Sequence, residues 1–176
     1  MNLPNKLTLG RVIAVPFFVA AYMLHFYAVA LIIFILASVT DLLDGKIARA
    51  RGLVTNFGKI MDPLADKILV YSAFSLMVGD GTVPGWMLII ILAREFAISG
   101  MRSVAASEGI VIAAGMSGKI KTVLQMIAVP LLILALSVPS VPIIMTLGQI
   151  FLWASLVMTV YSGCEYILKN KSVFSM

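Results

Sequence analysis

The chain has 176 residues, 61% of them hydrophobic and 12% charged, with a formal net charge of +5 and one cysteine, Cys164. A soluble domain carries about 25% charged residues, so this composition excludes an ordinary water-soluble globule. A lone cysteine excludes an internal disulfide or a cysteine-built metal cage, and no basic face with interleaved aromatics points to a nucleic-acid partner.

The N-terminal stretch NLPNKLTLGR is too polar to span a bilayer. It is expected to lie along the membrane as a short interfacial segment, with no cleaved leader. Apolar stretches follow over 9–25, 27–47, 60–79, 84–105, 117–137 and 141–167. A helix crosses hydrocarbon with about 20 residues. The expected fold is therefore all-α, a single domain over 1–176 forming a polytopic membrane bundle of six transmembrane helices.

The breaks HFY, GDGTVPG and SVPSVP are turn-like, whereas GKIARARGLVTNFGK and SVAASEGIVIAAGMSGK read as longer polar connections. Lys6, Arg11, Arg49, Arg51, Lys59, Arg102, Lys119, Lys121, Lys169 and Lys171 fall at the N-terminus, in those connections or at the C-terminus. The three short turns hold no Lys or Arg. The positive-inside rule then places both termini and both long connections in the cytoplasm of a multi-pass cell-membrane protein. His25, beside Phe26 and Tyr27, reads as part of an interfacial aromatic belt. Cys164 reads as a small apolar residue in a packed helix.

Four aspartates interrupt this apolar plan. Asp41 and Asp44 are three residues apart, Asp62 and Asp66 four apart, so each pair shares one side of a helix. The connection between the pairs lets the end of the second span meet the start of the third. Four converging carboxylates would repel and take up protons unless cations neutralise them. Two divalent cations about 4 Å apart would do so and would form a clamp for displacement at phosphorus. All-oxygen ligation favours Mg²⁺ or Mn²⁺. Helix capping, or pairing with Lys46, Arg49 and Lys67, is the bland alternative. Around the pairs, Gly45 and Ala48 are small enough for a ligand to approach the backbone. Arg49 offers a planar fork to a phosphate, Gly58 clears the same side of the third helix, and Pro63 suits a first helical turn or a kink.

The string DLLDGKIARARGLVTNFGKIMDPLAD fits D-x-x-D-G-x-x-A-R-x8-G-x-x-x-D-x-x-x-D without a mismatch. In this it resembles the CDP-alcohol phosphatidyltransferases, and the six-span outline extends the resemblance to the whole chain. The resemblance implies that Asp41, Asp44, Asp62 and Asp66 ligate two divalent cations, with Asp66 also the general base. It implies that Gly45, Ala48 and Arg49 hold the CDP part of a CDP-activated lipid. Asn5, Thr8 and Arg11, in PNKLTLGR, would border the nucleotide; capping by Asn5 or Thr8 and headgroup contact by Arg11 are the rival for that stretch. A homodimer in the lipid bilayer is also implied.

Members of that family share a donor and differ in acceptor. Arg94 and Glu95 lie about 15 Å along the fourth helix from Pro84, where a charged residue is functional or paired by default. With Arg102, Lys67 and a lysine from GKIKT they suggest a cationic pocket for a phosphate on the acceptor. Lys119 and Lys121 sit about 200° apart on a helix, so Lys119, with Thr122, is taken as the inward one. An Arg94–Glu95–Asp network bracing the bundle is the structural alternative. The strings NFGKIMDPLADK, AREF, GKIKT and SGCEY resemble the branch that joins CDP-diacylglycerol to sn-glycerol 3-phosphate; an inositol phosphate acceptor is the nearest alternative. A divalent-cation transporter and an intramembrane prenyltransferase are the more distant readings. Against the first, seven of the eight acids lie toward the cytoplasmic side, with Asp80 outside. Against the second, the acidic pairs are adjacent and carry the G-x-x-A-R element.

Overall fold

The computed structural model describes residues 3–50, 56–110, 112–113 and 115–171, with side chains for 7–40, 61, 64–65, 67–110, 112–113 and 115–171. These residues form six α-helices and, among the described residues, no strand: α1 (Leu3–Met23), α2 (Tyr27–Ala50), α3 (Asn56–Gly79), α4 (Gly85–Ser107), α5 (Met116–Ser137) and α6 (Pro142–Lys169). Long runs of Leu, Ile, Ala and Met favour helices because each backbone hydrogen bond closes within its own segment. Proline stands at the start of α6, where its missing amide costs nothing.

Every expected helix is present, but the ends differ. The polar connections are shorter than the sequence suggests, with 51–55 between α2 and α3 and 108–115 between α4 and α5. Lys, Arg and Ala in these stretches are good helix formers. Loss of apolar character therefore does not mark the end of a helix. Pro63 accordingly falls inside α3 and not in its first turn.

The N-terminal stretch is likewise no separate interfacial segment. It is continuous with α1, which packs against α2 and α3, and Thr8 and Arg11 are 0% and 2% exposed. Asn5 and Thr8 both fall within the bounds of that helix.

The core is built from Phe18, Phe34, Phe74, Met77, Met87, Ile91, Leu132 and Leu152, all fully buried. Phe17, Ile32, Leu36, Ile89, Phe96, Ile143 and Val157 are more than half exposed. An outer surface of that kind calls for an apolar surrounding. Helices α5 and α6 are long and apolar enough to cross a membrane; shorter apolar runs cover Leu7–Met23, Tyr27–Thr40 and Lys67–Gly79.

At the end with the short turns, Tyr22 Oη donates to Asp80 Oδ2 at 2.6 Å, and Gln149 Nε2 donates to the Thr82 carbonyl at 2.8 Å. These bonds tie α1 and α6 to the α3–α4 turn. His25 sits in the α1–α2 turn with a left-handed φ of 62° and lies 2.7 Å from the Tyr27 hydroxyl. Cys164 is exposed on the outer side of α6 and is not packed inside the bundle.

Candidate functional site

At the opposite end, residues of α3, α4, α5 and α6, with Ile110, Ile112, Ala113 and Gly115 of the α4–α5 connection, line a cavity of about 670 Å³. Six cationic side chains line it, Lys67, Arg94, Arg102, Lys119, Lys121 and Lys169, against the carboxylates of Glu95 and Glu165. All five residues expected to meet an acceptor phosphate (Lys67, Arg94, Arg102, Lys119, Lys121) are thus on one wall system.

Glu95 organises the inner part. Its Oε1 lies 3.0 Å from Lys67 Nζ, its Oε2 lies 3.2 Å from Arg94 Nη1, and Lys121 Nζ bonds the same Oε2. The Glu95 and Arg94 side chains are each 12% exposed and Lys121 is 5% exposed. One carboxylate among three cations leaves an excess of positive charge in a place where unbalanced charge is costly. A phosphate dianion would bring the group to neutrality.

Polar partners hold the cations in place. Arg94 Nη2 donates to Ser162 Oγ at 3.0 Å, and Lys67 Nζ donates to Ser99 Oγ at 3.2 Å. The Nε of Arg94 is buried without a hydrogen-bond partner among the described residues. Arg102 Nε donates to Tyr166 Oη at 3.0 Å, and its guanidinium lies 5.6 Å from that ring's centre, within cation–π range. On the rim, Ser117 donates to Glu165, which also pairs with Lys169 at 2.6 Å.

One expectation needs correction. The buried lysine is Lys121, paired with Glu95, whereas Lys119 is exposed at the mouth. The 200° offset does separate them, but the cavity is wide enough at the start of α5 to touch both. Arg102 is exposed, whereas the Arg94 side chain is 12% exposed. The Arg94–Glu95 pair weighed as bracing is present and forms part of the cavity wall.

Ser99 and Ser117 were not singled out from the sequence; Ser162, Glu165 and Tyr166 entered only within the string SGCEY, and Lys169 only as a charge that sets topology. A structural signal existed for Ser162 and Tyr166. Ser155, Thr159, Ser162 and Tyr166 are all buried and recur every three or four residues along the apolar α6, marking a polar stripe turned inward.

Asp41 and Asp44 lie in the last turns of α2, and Asp62 and Asp66 in the first half of α3, two helices that pack together. The side chains of these four, and those of Asn5, Gly45, Ala48, Arg49 and Gly58, lie outside the described residues. Lys67 follows Asp66 directly, so the cationic cavity adjoins the carboxylate-bearing stretch of α3. Arg11 lines a second, apolar groove of about 500 Å³ between α1 and α2 that reaches Thr40, the residue before Asp41. Thr8 is buried in α1.

The family model described as CDP-alcohol phosphatidyltransferase matches residues 1–161. A CDP-diacylglycerol–glycerol-3-phosphate 3-phosphatidyltransferase of Bacillus subtilis (strain 168) is 43% identical over 184 residues, covering 96% of this chain and 95% of that protein. One of the same description from Rickettsia felis is 35% identical over 176 residues, covering 98% and 97%. A probable phosphatidylglycerophosphate synthase of Mycobacterium tuberculosis is 37% identical over 174 residues, covering 96% and 81%. The chain belongs to the CDP-alcohol phosphatidyltransferase family.

Proposed function

We propose that this chain is an integral membrane enzyme that transfers the phosphatidyl group of CDP-diacylglycerol to sn-glycerol 3-phosphate, releasing CMP and phosphatidylglycerophosphate. The observation that carries the choice of acceptor is the cavity in which Lys67, Arg94 and Lys121 share the single carboxylate of Glu95. Its excess positive charge suits an acceptor that brings its own phosphate. The names of the full-length relatives support the same acceptor.

In this reading the acceptor's phosphate sits among Lys67, Arg94 and Lys121, with Arg102 and Lys119 at the mouth. Its primary hydroxyl then points toward Asp66, the neighbour of Lys67 in α3. Asp66 removes the hydroxyl proton. The alkoxide attacks the lipid-side phosphorus, and the bond to the CMP oxygen breaks. Arg49 faces the departing nucleotide phosphate, and Gly45, Ala48 and Gly58 leave room for the nucleotide. Asn5, Thr8 and Arg11 border it.

Asp41, Asp44, Asp62 and Asp66 supply the all-oxygen donor set that suits two Mg²⁺ or Mn²⁺ ions, whose chemistry when bound would be to offset charge on the pyrophosphate and on CMP. Direct displacement needs no covalent intermediate. His25 belongs to the α1–α2 turn beside Tyr27 and Cys164 to the outer side of α6, so neither is a member of the cavity wall.

The six helices are read as six spans, with both termini, the cavity and the aspartates on the cytoplasmic side, where the cationic residues concentrate. A homodimer belongs to the same reading through the family. The acceptor is tested with purified protein, CDP-diacylglycerol and Mg²⁺. CMP should be released with glycerol 3-phosphate and not with serine, free inositol or glycerol. Turnover with inositol phosphate and none with glycerol 3-phosphate would move the chain to a neighbouring branch of the family.

A further inference from the structure

The geometry points to Gly118 and Gly163 as positioning residues that fix how Arg94 enters the cavity and thereby set the affinity for the phosphate-bearing acceptor. The inference rests on the reading of the cavity given above. Arg94 leaves α4 and passes between α5 and α6. A Cβ on Gly118, in α5, would lie 3.3 Å from Arg94 Nη2, and a Cβ on Gly163, in α6, would lie 3.1 Å from Arg94 Cγ. One glycine therefore borders the head of the arginine and the other its stem.

At both positions Arg94 is the one neighbour within 4 Å among the described residues. The space is reserved for that side chain. Gly148 offers the contrast: a Cβ there would lie 3.2 Å from the backbone nitrogen of Leu132, so that glycine serves helix packing. Gly100, on the same helix as Arg94, has nothing within 4 Å.

The guanidinium has little freedom between its two glycines. Nη1 is held by Glu95 at 3.2 Å and Nη2 by Ser162 Oγ at 3.0 Å. Ser162 precedes Gly163, so consecutive residues of α6 supply the acceptor oxygen and the clearance for the stem. Adding a methyl group must move the Arg94 atom it faces, Nη2 at Gly118 or Cγ at Gly163, by a few tenths of an ångström. That displacement disturbs the bond to Ser162 and the presentation of positive charge to the cavity.

The test uses the full chain in detergent–lipid micelles with Mg²⁺, reading the KM for glycerol 3-phosphate and for CDP-diacylglycerol by CMP release. Gly118→Ala and Gly163→Ala should each raise the acceptor KM about tenfold, the scale of weakening one charge-assisted hydrogen bond, and change the CDP-lipid KM less than about twofold. Gly100→Ala should change neither.

A lysine at position 94 lacks Nη2 but keeps Cγ. In an Arg94→Lys background, Gly118→Ala should cost nothing further, while Gly163→Ala should still raise the acceptor KM. Equal, additive costs in both backgrounds would overturn the inference. So would an unchanged acceptor KM in both alanine variants when Arg94→Ala raises it. If Arg94→Ala itself leaves the acceptor KM untouched, the reading of the cavity fails with it. Should Gly163→Ala not fold, recovery of the fold by adding Arg94→Ala supports the reserved space, and failure to recover contradicts it.

Discussion

Asp66 and Lys67 are consecutive in α3, and the proposed chemistry divides at that peptide bond: carboxylates and nucleotide on one side, the acceptor's phosphate on the other. Asp41→Asn and Asp62→Asn should each abolish CMP release, and chelation by EDTA should do so reversibly in the unaltered enzyme. Full activity in metal-free buffer would contradict the two-cation reading. Asp66→Asn keeps the nucleotide slot, so CDP-lipid binding should survive while turnover falls by about 10²–10⁴; turnover within about threefold of the original would place the base elsewhere. The four aspartates stand out in the sequence because two pairs at helical spacing have few uses in an apolar chain, and their role rests on that spacing, since their side chains lie outside the described residues. The role of Glu95 as common partner of Lys67, Arg94 and Lys121 was not, since it depends on three helices meeting at one carboxylate.

At the scale of the helix, hydropathy located all six elements, with the start of α1 missed by six residues, because a long apolar run favours a segment that closes its own hydrogen bonds. Helix ends were less legible: Ala, Lys and Arg carry α2 beyond its apolar run, and NLPNKLTLGR continues into α1. Rotation about each axis was legible only in part. The sequence separates Lys119 from Lys121 by 200°, but the packing of α4 beside α6 and of α5 against α6 decides that Lys121 is the buried one. Among the described glycines, the closest backbone approach is at Gly148, where an added Cβ would lie 2.8 Å from Leu132 Cδ2 and 3.2 Å from the Leu132 nitrogen. Gly148→Ala should therefore destabilise the α5–α6 pair by about 1–3 kcal/mol, the scale of overpacking. Thermal unfolding in detergent reads this as a lowered Tm with both KM values retained, and an unchanged Tm would show that the two helices can separate freely.

For the molecule as a whole, the two ends of the bundle differ in kind. One is tied by Tyr22, Asp80, Thr82 and Gln149; the other holds the cations and the aspartate helices. In a Cys164→Ser background, an impermeant thiol reagent applied outside the cell should label Ser140→Cys in the α5–α6 turn and spare Glu108→Cys after α4, both exposed positions. Labelling of the second would reverse the orientation. That the charged end receives the acceptor's phosphate is tested most directly by Lys121→Met, which keeps the length of the side chain and removes its charge. The KM for glycerol 3-phosphate should rise at least about tenfold, with the KM for CDP-diacylglycerol changed less than about twofold, as expected when one charged contact to a single substrate is lost. Equal increases for the two substrates, or none for glycerol 3-phosphate, would contradict it.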